Sequence, residues 1–385
     1  MKHLEESRRE TEKLLNQYID YLLENSDAAH PAWNIEAIKG WKENKWNYID
    51  GCMIRGVLEL YRIRGEQRFL DFAEDFVGGF VREDGSIRSY EITEQSLDNV
   101  NPAKNLFRLY DLTGREKYRR AIETVRAQLS QQPRTRQGSF WHKAIYPNQV
   151  WLDGIYMAMP FYIEYERRFR EGEGIPDVCA QILRVEKNMR DRSSGLYYHG
   201  FDEERESFWA DPESGCSPNF WLRAIGWFLL GIVDVLEELN RTEGFDTEKR
   251  ELRRLLTDLV ASLRHYQDRE SGLFYQLVDK AGLRGNYLET SGSALLSAAV
   301  LRAVRLGFLP TEDRIFGESI FNGICDRRLR FIDGKPCLTG ICLVGGLGGA
   351  ARRDGSIAYY LSEPIVENDA KGVGPFLLAY MEMLQ

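Results

Sequence analysis

The sequence lacks any long uncharged apolar run, because no stretch of its 385 residues approaches the roughly 20 that a transmembrane helix needs. No apolar segment follows the N-terminal MKHLEES, so we expect no signal peptide and a cytoplasmic protein. Positive charge is not in excess, since 51 Lys and Arg face 59 Asp and Glu and give a formal net charge of −8. A surface that follows nucleic-acid phosphates needs clustered basic residues. We therefore expect neither a nucleic-acid nor a membrane partner.

Cysteine is scarce, and the cysteines do not form any C-x-x-C pair. Scattered cysteines of this kind predict reduced, structural thiols. The sequence also lacks zinc-ligand spacing, an EF-hand loop, a Walker or dinucleotide-binding loop and a G-x-S-x-G nucleophile elbow. We expect no metal and no organic cofactor. The six cysteines are Cys52, Cys179, Cys216, Cys325, Cys337 and Cys342.

Aromatic residues, by contrast, are abundant at 12%, with 8 Trp, 19 Tyr and 19 Phe. Two interpretations follow. Aromatic rings fill large hydrophobic cores, and they also stack against sugar rings in carbohydrate-binding proteins. Composition alone favours the first and leaves the second open.

Helical periodicity dominates the chain, and it divides into two kinds of segment. Six strongly apolar segments begin near residues 46, 102, 151, 221, 287 and 372. Helices as apolar as residues 221–239 lie inside a larger assembly. Amphipathic segments at 67–81, 116–129, 175–191 and 247–268 alternate with them and have one polar face each. No sustained period-two alternation is present, so we expect little β-structure.

The pattern also repeats along the chain. Residues 60–69 resemble residues 109–118, and residues 194–198 resemble residues 271–275. Repeated helical hairpins predict a stacked or closed array. Six inner segments paired with outer helices favour an all-α (α/α)6 toroid of six hairpins, with an open solenoid as the alternative. Because no Pro- or Ser-rich linker divides the chain, we expect one catalytic domain over residues 1–385, with residues 1–40 as an N-terminal outer helix and lead-in.

Polar and aromatic residues cluster where the inner helices begin, so they would converge on one mouth of a toroid. Asp153 stands out because it lies between Leu152 and Ile155 in a very apolar stretch. Such surroundings favour the protonated form of a carboxyl group, which is what a general acid requires. The alternative is that Asp153 is a helix N-cap. The same alternative is stronger for Asp98, because Pro102 marks a helix start.

Two cationic or titratable residues need partners in this region. Arg223 and Trp227 are four residues apart and share a helix face. A buried arginine needs an anion, which is either a substrate carboxylate or an aspartate of the wall. His199 is one of only five histidines, and a single loop histidine is more often a structural hydrogen-bonding group than a catalyst.

Seven motifs in register resemble the unsaturated rhamnogalacturonyl hydrolases of glycoside hydrolase family 105. The resemblance runs from about residue 46 to the C-terminus, and the related unsaturated glucuronyl hydrolases share the fold and the paired aspartates. The motifs are residues 46–48 (WNY), 97–99 (LDN), 140–143 (FWHK), 151–157 (WLDGIYM), 223–227 (RAIGW), 286–291 (NYLETS) and 360–369 (YLSEPIVEND).

The resemblance implies a six-hairpin toroid and a glycosidase whose substrate is an unsaturated uronyl oligosaccharide from pectin or rhamnogalacturonan lyase digestion. In that chemistry an acid protonates the C4=C5 vinyl ether, water adds at C5, and the hemiketal opens and releases the sugar. It implies that Asp153 is the general acid and that Asp98 is the second aspartate. The polar residues of the pocket would be Lys143, His199 and Arg223. The residues that stack on the sugar would be Tyr48, Trp151 and Trp227. The residues that form the wall or brace its loops would be Glu289, Glu363, Glu367 and Asp369.

Three alternatives stay open at this point. One is an unsaturated glucuronyl hydrolase acting on glycosaminoglycan-type disaccharides. Another is an isomerase similar to the N-acylglucosamine epimerases, which needs a pair of histidines near the pocket. The third is a noncatalytic sugar-binding toroid. Residues 134–140 lie on the approach to Lys143 and would shape the site of the leaving sugar. The sequence does not specify the identity of that sugar. No sequence feature specifies an oligomeric state.

Overall fold

The computed structural model describes residues 2–40 and 42–385, with side chains from residue 10 onward. Within these residues the chain is mostly helical and forms fourteen α-helices. They are α1 (Lys2–Glu24), α2 (Ile35–Gly40), α3 (Tyr48–Arg64), α4 (Gln67–Gly78), α5 (Lys104–Thr113), α6 (Glu116–Gln131), α7 (Leu152–Phe169), α8 (Ile175–Met189), α9 (Leu222–Asn240), α10 (Asp246–Leu263), α11 (Thr290–Arg305), α12 (Arg314–Arg328), α13 (Ile357–Ser362) and α14 (Ala370–Met383).

The β-structure of the described residues consists of eight strands of two to four residues, paired antiparallel in sequence order as four two-stranded ladders. This agrees with the expectation of little β-structure. The strands are β1 (Gln149–Trp151), β2 (Gly200–Asp202), β3 (Phe274–Tyr275), β4 (Leu288–Glu289), β5 (Leu329–Ile332), β6 (Lys335–Leu338), β7 (Ile341–Cys342) and β8 (Ile365–Val366).

The inner helices lie side by side in the order α3, α5, α7, α9, α11 and α14, with the 3-10 segment at Leu97–Ala103 that leads into α5 making most of the contacts with α7, and α14 packs against α3 and closes the ring. The predicted toroid is therefore confirmed, and the open solenoid is excluded. Glycines allow the helices to approach closely. A Cβ atom on Gly374 of α14 would lie 2.5 Å from the Cys52 carbonyl oxygen of α3, and one on Gly292 of α11 would lie 2.4 Å from the Leu222 side chain.

The inner and outer layers differ in burial as their sequences predict. Along α9 only Glu237 and Asn240 are not buried, because its neighbours in the ring and its outer helix surround it. The outer helix α10 instead has one apolar stripe, with buried side chains at helical spacing. This stripe consists of Leu252, Leu255, Leu256, Leu259, Val260 and Leu263. Helices α1, α4, α6, α8 and α12 supply the other outer positions.

The first sequence repeat corresponds to two matching helix ends. Gly65 ends α3 and Gly114 ends α5, both in the left-handed conformation with φ of 68° and 64°. Glycine adopts this conformation without a Cβ clash, which is why it recurs at helix C-termini.

The second repeat is a turn that follows an outer helix. Asp191 accepts hydrogen bonds from the backbone and hydroxyl of Ser194, and Asp268 accepts the same pair from Ser271. Asp211 and Ser214 form a third copy of this turn, which the sequence comparison did not single out. The turns direct the chain from the outer layer back toward the inner helices.

One predicted helix start is wrong. Pro102 does not begin α5; it lies within a 3-10 helix over Leu97–Ala103, and α5 begins at Lys104. The 3-10 segment is itself helical and tolerates a proline near its end. The helix start predicted at Pro102 therefore lies two residues before the observed start of α5. Asp98 consequently lies in the 3-10 segment.

All six cysteines are free, and five of them are buried. In the part of the chain that the structure describes, no helix is long and apolar enough to cross a membrane.

Candidate active site

The predicted carboxylates lie where inner helices begin, and short β-pairs bring loop residues beside them. Strand β1 leads into α7, and β2 pairs with it so that Trp151 faces Gly200. The backbone N–H of Leu152 also donates to the carbonyl of His199. This pairing places His199 next to Asp153 at the start of α7.

Asp98 lies against two basic side chains from the neighbouring loop. One carboxylate oxygen is 2.6 Å from Nζ of Lys143, and the other is 3.5 Å from Nε2 of His142. Burial alone would raise the pKa of Asp98, but Lys143 and His142 outweigh burial and hold it below its usual value. Asp98 is therefore an ionised carboxylate at neutral pH.

His142 is a site residue that sequence reasoning did not assign. It is 1% exposed, and burial lowers its pKa to about 4, so the ring is neutral at neutral pH. It stacks on Trp151 at 4.4 Å between ring centroids with 18° between the planes. Its position in the motif at 140–143 was the available signal, since that motif was used only for Lys143.

Asp153 contacts a second histidine, His199. Its Oδ2 lies 3.2 Å from Nε2 of His199, and Nδ1 of His199 lies 2.7 Å from the hydroxyl of Tyr360. His199 is fully buried, and burial raises the pKa of Tyr360 well above its usual value, so the phenol keeps its proton. A hydroxyl both donates and accepts, so Tyr360 can pair with either tautomer of His199. Tyr360, like His142, was within a recognised motif but was not assigned a role.

Neither aspartate caps a helix, although capping was the alternative for both. Trp151 occupies the N-cap position of α7, and Ser96 occupies that of the 3-10 segment. Asp153 and Asp98 lie in the first turns of these elements, and among the described residues their side chains do not accept a hydrogen bond from a helix N–H. Helix capping therefore does not explain either aspartate.

Arg223 is buried without a carboxylate partner within ion-pair distance among residues 2–40 and 42–385. Its Nη1 donates to the Cys342 carbonyl at 2.6 Å and to Ser291 Oγ at 3.2 Å. Its Nη2 is buried and has no hydrogen-bond partner in the described part of the chain. A buried guanidinium with a free N–H group is suited to bind an anion.

Tyr48 begins α3 and connects the Asp98 side of the mouth with the Arg223 side. Burial, followed by the carboxylates of Glu36 and Asp98, raises the pKa of Tyr48, and Arg223 opposes this effect. The phenol is partly buried and lies within electrostatic range of both groups.

The structure places two predicted stacking residues in packed surroundings. Trp151 is 6% exposed, because His142 stacks on it and Tyr146 stacks on it at 5.1 Å. Trp227 is 1% exposed and stacks on Tyr156 at 4.5 Å, one turn along α9 from Arg223. Trp151 therefore contacts both histidines, with His142 stacked on it and His199 in an edge contact at 5.4 Å. Both positions favour a shaping role over an open sugar-stacking face.

Two acidic residues assigned to the wall make local bonds. Glu289 caps α11 and accepts from the backbone N–H groups of Ser291, Gly292 and Cys342. Asp369 caps α14 and lies 3.1 Å from Nζ of the buried Lys371. These bonds fix the starts of the last two inner helices. Among the described residues no group of three or more His, Cys, Asp and Glu side chains is arranged to hold a metal ion.

Comparisons with known proteins agree with this arrangement. A sequence profile of Glycosyl Hydrolase Family 88 matches residues 19–385. Protein Atu3128 of Agrobacterium fabrum is 41% identical over 235 residues, which are 59% of this chain and 98% of that protein. The unsaturated rhamnogalacturonyl hydrolase YesR of Bacillus subtilis is 26% identical over 268 residues, which are 68% of this chain and 72% of that protein. The solved structure of a family 105 glycoside hydrolase from C. acetobutylicum has a TM-score of 0.88 and 37% identity, covering 97% of this chain and 98% of that chain.

The toroid of helical hairpins and these similarities define an enzyme that hydrolyses glycosidic bonds. The chain belongs to Glycosyl Hydrolase Family 88, and the resemblance to family 105 that its motifs predicted is confirmed.

Family membership also excludes two alternatives that the geometry of the site alone leaves open. His142 and His199 both lie beside the aspartates, so the mouth does contain the histidine pair that an epimerase-like isomerase needs. Family membership, and not the number of histidines, excludes the isomerase and the noncatalytic toroid.

Proposed function

We propose that this hydrolase acts on oligosaccharides ending in a 4,5-unsaturated galacturonyl residue, such as those released by pectin and rhamnogalacturonan lyases. The main support is that the two aspartates differ in their charged partners. Each lies beside a histidine, but only Asp98 also faces an ammonium group, that of Lys143, which favours its carboxylate form. One carboxylate and one proton donor are the requirements of acid-catalysed hydration.

In the proposed reaction Asp153 gives its carboxyl proton to C4, and the electron pair of the C4=C5 bond forms the new C–H bond. The positive charge that remains on C5 is shared with the ring oxygen. A water oxygen then adds to C5, and the proton that it loses returns to Asp153. The hemiketal opens by breaking the bond between C5 and the ring oxygen, so C5 becomes a ketone. C1 is left as a hemiacetal, which releases the remaining sugar as an alcohol.

The other residues of the mouth have distinct roles in this proposal. Ionised Asp98 stabilises the positive charge that develops at C5 and orients the water. Arg223 binds the uronate carboxylate through its free Nη2, and Tyr48 hydrogen-bonds a sugar hydroxyl between these two groups. His199 and Tyr360 hold the Asp153 proton on the substrate side. Because the double bond is the reacting group, the usual rule that relates carboxylate separation to stereochemical outcome does not apply.

The finer choice of substrate depends on the leaving side of the glycosidic bond. Galacturonate and glucuronate differ in configuration at C4, and lyase elimination removes that difference. The terminal unsaturated residue is therefore the same in both substrate classes, and the anomeric linkage and the next sugar distinguish them. The similarity to YesR supports the rhamnogalacturonan side, and we propose that the loop at 134–140 contacts the next sugar.

The test is to incubate the enzyme with an unsaturated galacturonyl-rhamnose disaccharide and with an unsaturated glucuronyl-amino sugar disaccharide, following the ultraviolet absorbance of the double bond. We expect a higher kcat/KM for the first. Faster loss of absorbance with the second would support the glucuronyl hydrolase instead. If neither substrate loses absorbance, hydration of the double bond is not the activity of this chain.

We further propose that residues 1–385 act as one catalytic domain, with residues 1–40 as outer helix and lead-in, and that the enzyme works in the cytoplasm on imported lyase products. The support for the single domain is that α1 packs against β6 and that Tyr18 of α1 donates a hydrogen bond to Asn368, just before α14. Removal of residues 2–24 should therefore expose the buried side chains of the ring and lower the unfolding temperature.

A further inference from the structure

A second cavity of about 460 Å³ lies at the opposite end of the toroid, around the ends of the inner helices. Residues of α3, α5, α7, α9 and α11 line it. The lining contains nine basic and six acidic side chains, although the whole chain has a net charge of −8. The excess of basic residues at this place calls for an explanation.

Helix ends account for most of these basic residues. Arg167 lies in the last turn of α7 and is 2.6 Å from Glu238, and Arg305 lies in the last turn of α11 and is 2.6 Å from Glu382. Cations at helix C-termini also offset the helix dipole. Deeper in the cavity, Arg55 binds both carboxylate oxygens of Asp234. None of these arginines requires a ligand.

Lys104 is different in both position and contacts. It is the first residue of α5, so no C-terminal dipole explains its charge. Its Nζ donates to the Tyr156 carbonyl at 3.1 Å and lies 3.4 Å from the centre of the Tyr156 ring. Among the described residues it has no carboxylate within ion-pair distance.

The charge on Lys104 is costly where it lies. Burial, followed by repulsion from Arg55, holds the pKa of Lys104 well below its usual value. Arg108 follows one turn later on the same face of α5, and in the described part of the chain it makes no hydrogen bond or ion pair. Burial beside Glu238 raises the pKa of Glu164, so this wall carries less negative charge than its composition indicates. An anion in the cavity would supply the missing countercharge.

We propose that this cavity binds a small oxyanion, either a phosphate or a carboxylate, with Lys104 and Arg108 as its cationic ligands. The site is separate from the sugar site, because the stacked rings of Tyr156 and Trp227 lie between Lys104 and the mouth. Its occupancy can therefore be measured as binding, without any measurement of hydrolysis.

The experiment compares unfolding temperatures of the full chain in low-millimolar sodium phosphate and in sodium chloride of the same ionic strength. We expect a saturable rise with phosphate, because a ligand that binds only the folded state stabilises it. Lys104→Met should abolish the rise and weaken phosphate binding in calorimetry by about tenfold or more, the usual effect of losing a charge-assisted hydrogen bond. Lys249→Met is the matched control, because Lys249 on α10 also donates to a backbone carbonyl and lies outside the cavity.

The same variant separates a ligand group from a structural one. If Lys104 serves a ligand, Lys104→Met should be at least as stable as the parent in anion-free buffer, because methionine keeps the apolar stem and removes an amine whose charged form is disfavoured by burial and by Arg55. The proposal would be overturned if Lys104→Met were less stable than the parent and kept the parent's full phosphate response. It would also be overturned if phosphate stabilised the parent and Lys104→Met equally and without saturation, which is the general effect of such salts. If Lys104→Met does not fold, Arg108→Gln decides, since retention of the phosphate response there rejects the site.

Two sources of oxyanion remain to be distinguished. Galacturonate also carries a carboxylate that Arg223 can bind, so its binding is measured in the parent, in Arg223→Lys and in Lys104→Met. Galacturonate binding to the cavity is retained in Arg223→Lys and is lost when Lys104→Met is added to that variant. Phosphate binding without galacturonate binding assigns the site to inorganic or organic phosphate.

Discussion

Asp153 and His199 face each other at 3.2 Å, although one begins an inner helix and the other ends the loop that follows an outer helix. The β1–β2 pair creates this contact, and Tyr360 extends it as a third member at 2.7 Å from the histidine. Asp153, His199 and Tyr360 therefore form a buried row, in which neither Oδ2 of Asp153 nor Nε2 of His199 has a hydrogen-bond partner in the described part of the chain. Asp98, by contrast, has the Lys143 ammonium beside it as well as His142.

Asp153→Asn should keep the fold and lose about 10²- to 10⁴-fold in kcat, because asparagine is nearly isosteric but has no carboxyl proton to donate. Loss of ultraviolet absorbance from an unsaturated galacturonyl disaccharide measures the rate. Asp75→Asn, on the exposed side of α4, is the matched control and should leave the rate unchanged. Activity of Asp153→Asn within a few-fold of the parent would show that another group is the acid.

Tyr360→Phe should lower kcat about fivefold with little change in KM, since a buried hydrogen bond contributes about 1 kcal/mol. The physical reason is that His199 Nδ1 loses its partner, so the ring no longer has a fixed tautomer beside Asp153.

The matched control is Tyr380→Phe, which removes a phenol that accepts a hydrogen bond from Arg64 at the far end of α14. Equal effects of the two changes would mean that Tyr360 has only a packing role. Steady-state kinetics together with unfolding temperatures separates these outcomes.

The sequence predicted the two aspartates together with Lys143 and His199 as candidate site residues, but it did not predict His142 and Tyr360. Asp98 and Asp153 can be recognised in the sequence because a carboxyl group at the start of an apolar helix contrasts with its neighbours. His142 and Tyr360 reach them only through loops and ring closure, and no local pattern carries that information. The faces of Trp151 were equally inaccessible to sequence reasoning, because the residues that cover them come from the loop before β1.

Much of the fold was predictable for a related reason. Hydrophobic periodicity reports which side of a helix is buried, so the two layers and the starts of most inner helices followed directly. Periodicity is less informative at helix ends. The segment predicted to end at Asp268 stops being α-helical at Leu263, and a 3-10 turn over Arg264–Tyr266 continues it.

Lys143→Met should move the acidic limb of the kcat/KM profile to higher pH by about 1 to 3 units, the usual effect of an adjacent opposite charge on an aspartate. The sign follows from the direction of the shift. Lys143 holds the pKa of Asp98 below its usual value, so removing the ammonium raises that pKa. Asp98 then becomes protonated, and inactive in its proposed role, at a higher pH than in the parent.

Lys117→Met removes another buried lysine, on the outer helix α6, and should leave the acidic limb in place. An acidic limb that stays fixed in Lys143→Met would mean that Asp98 does not set it.

Arg223→Lys should raise KM by about 10- to 100-fold and leave kcat nearly unchanged, which corresponds to the loss of one charge-assisted hydrogen bond. Arg223 is held by Ser291 and the Cys342 carbonyl through Nη1, so its orientation is fixed while Nη2 stays free for the uronate carboxylate. Lysine keeps the charge but has no planar fork to make both sets of bonds. An interaction that is equally strong in the ground and transition states affects KM alone. Arg126→Lys, which changes an arginine paired with Glu166 in the outer layer, controls for the general cost of this substitution. A large fall in kcat at unchanged KM would instead place Arg223 in the transition state, where it would act on the charge that develops during protonation.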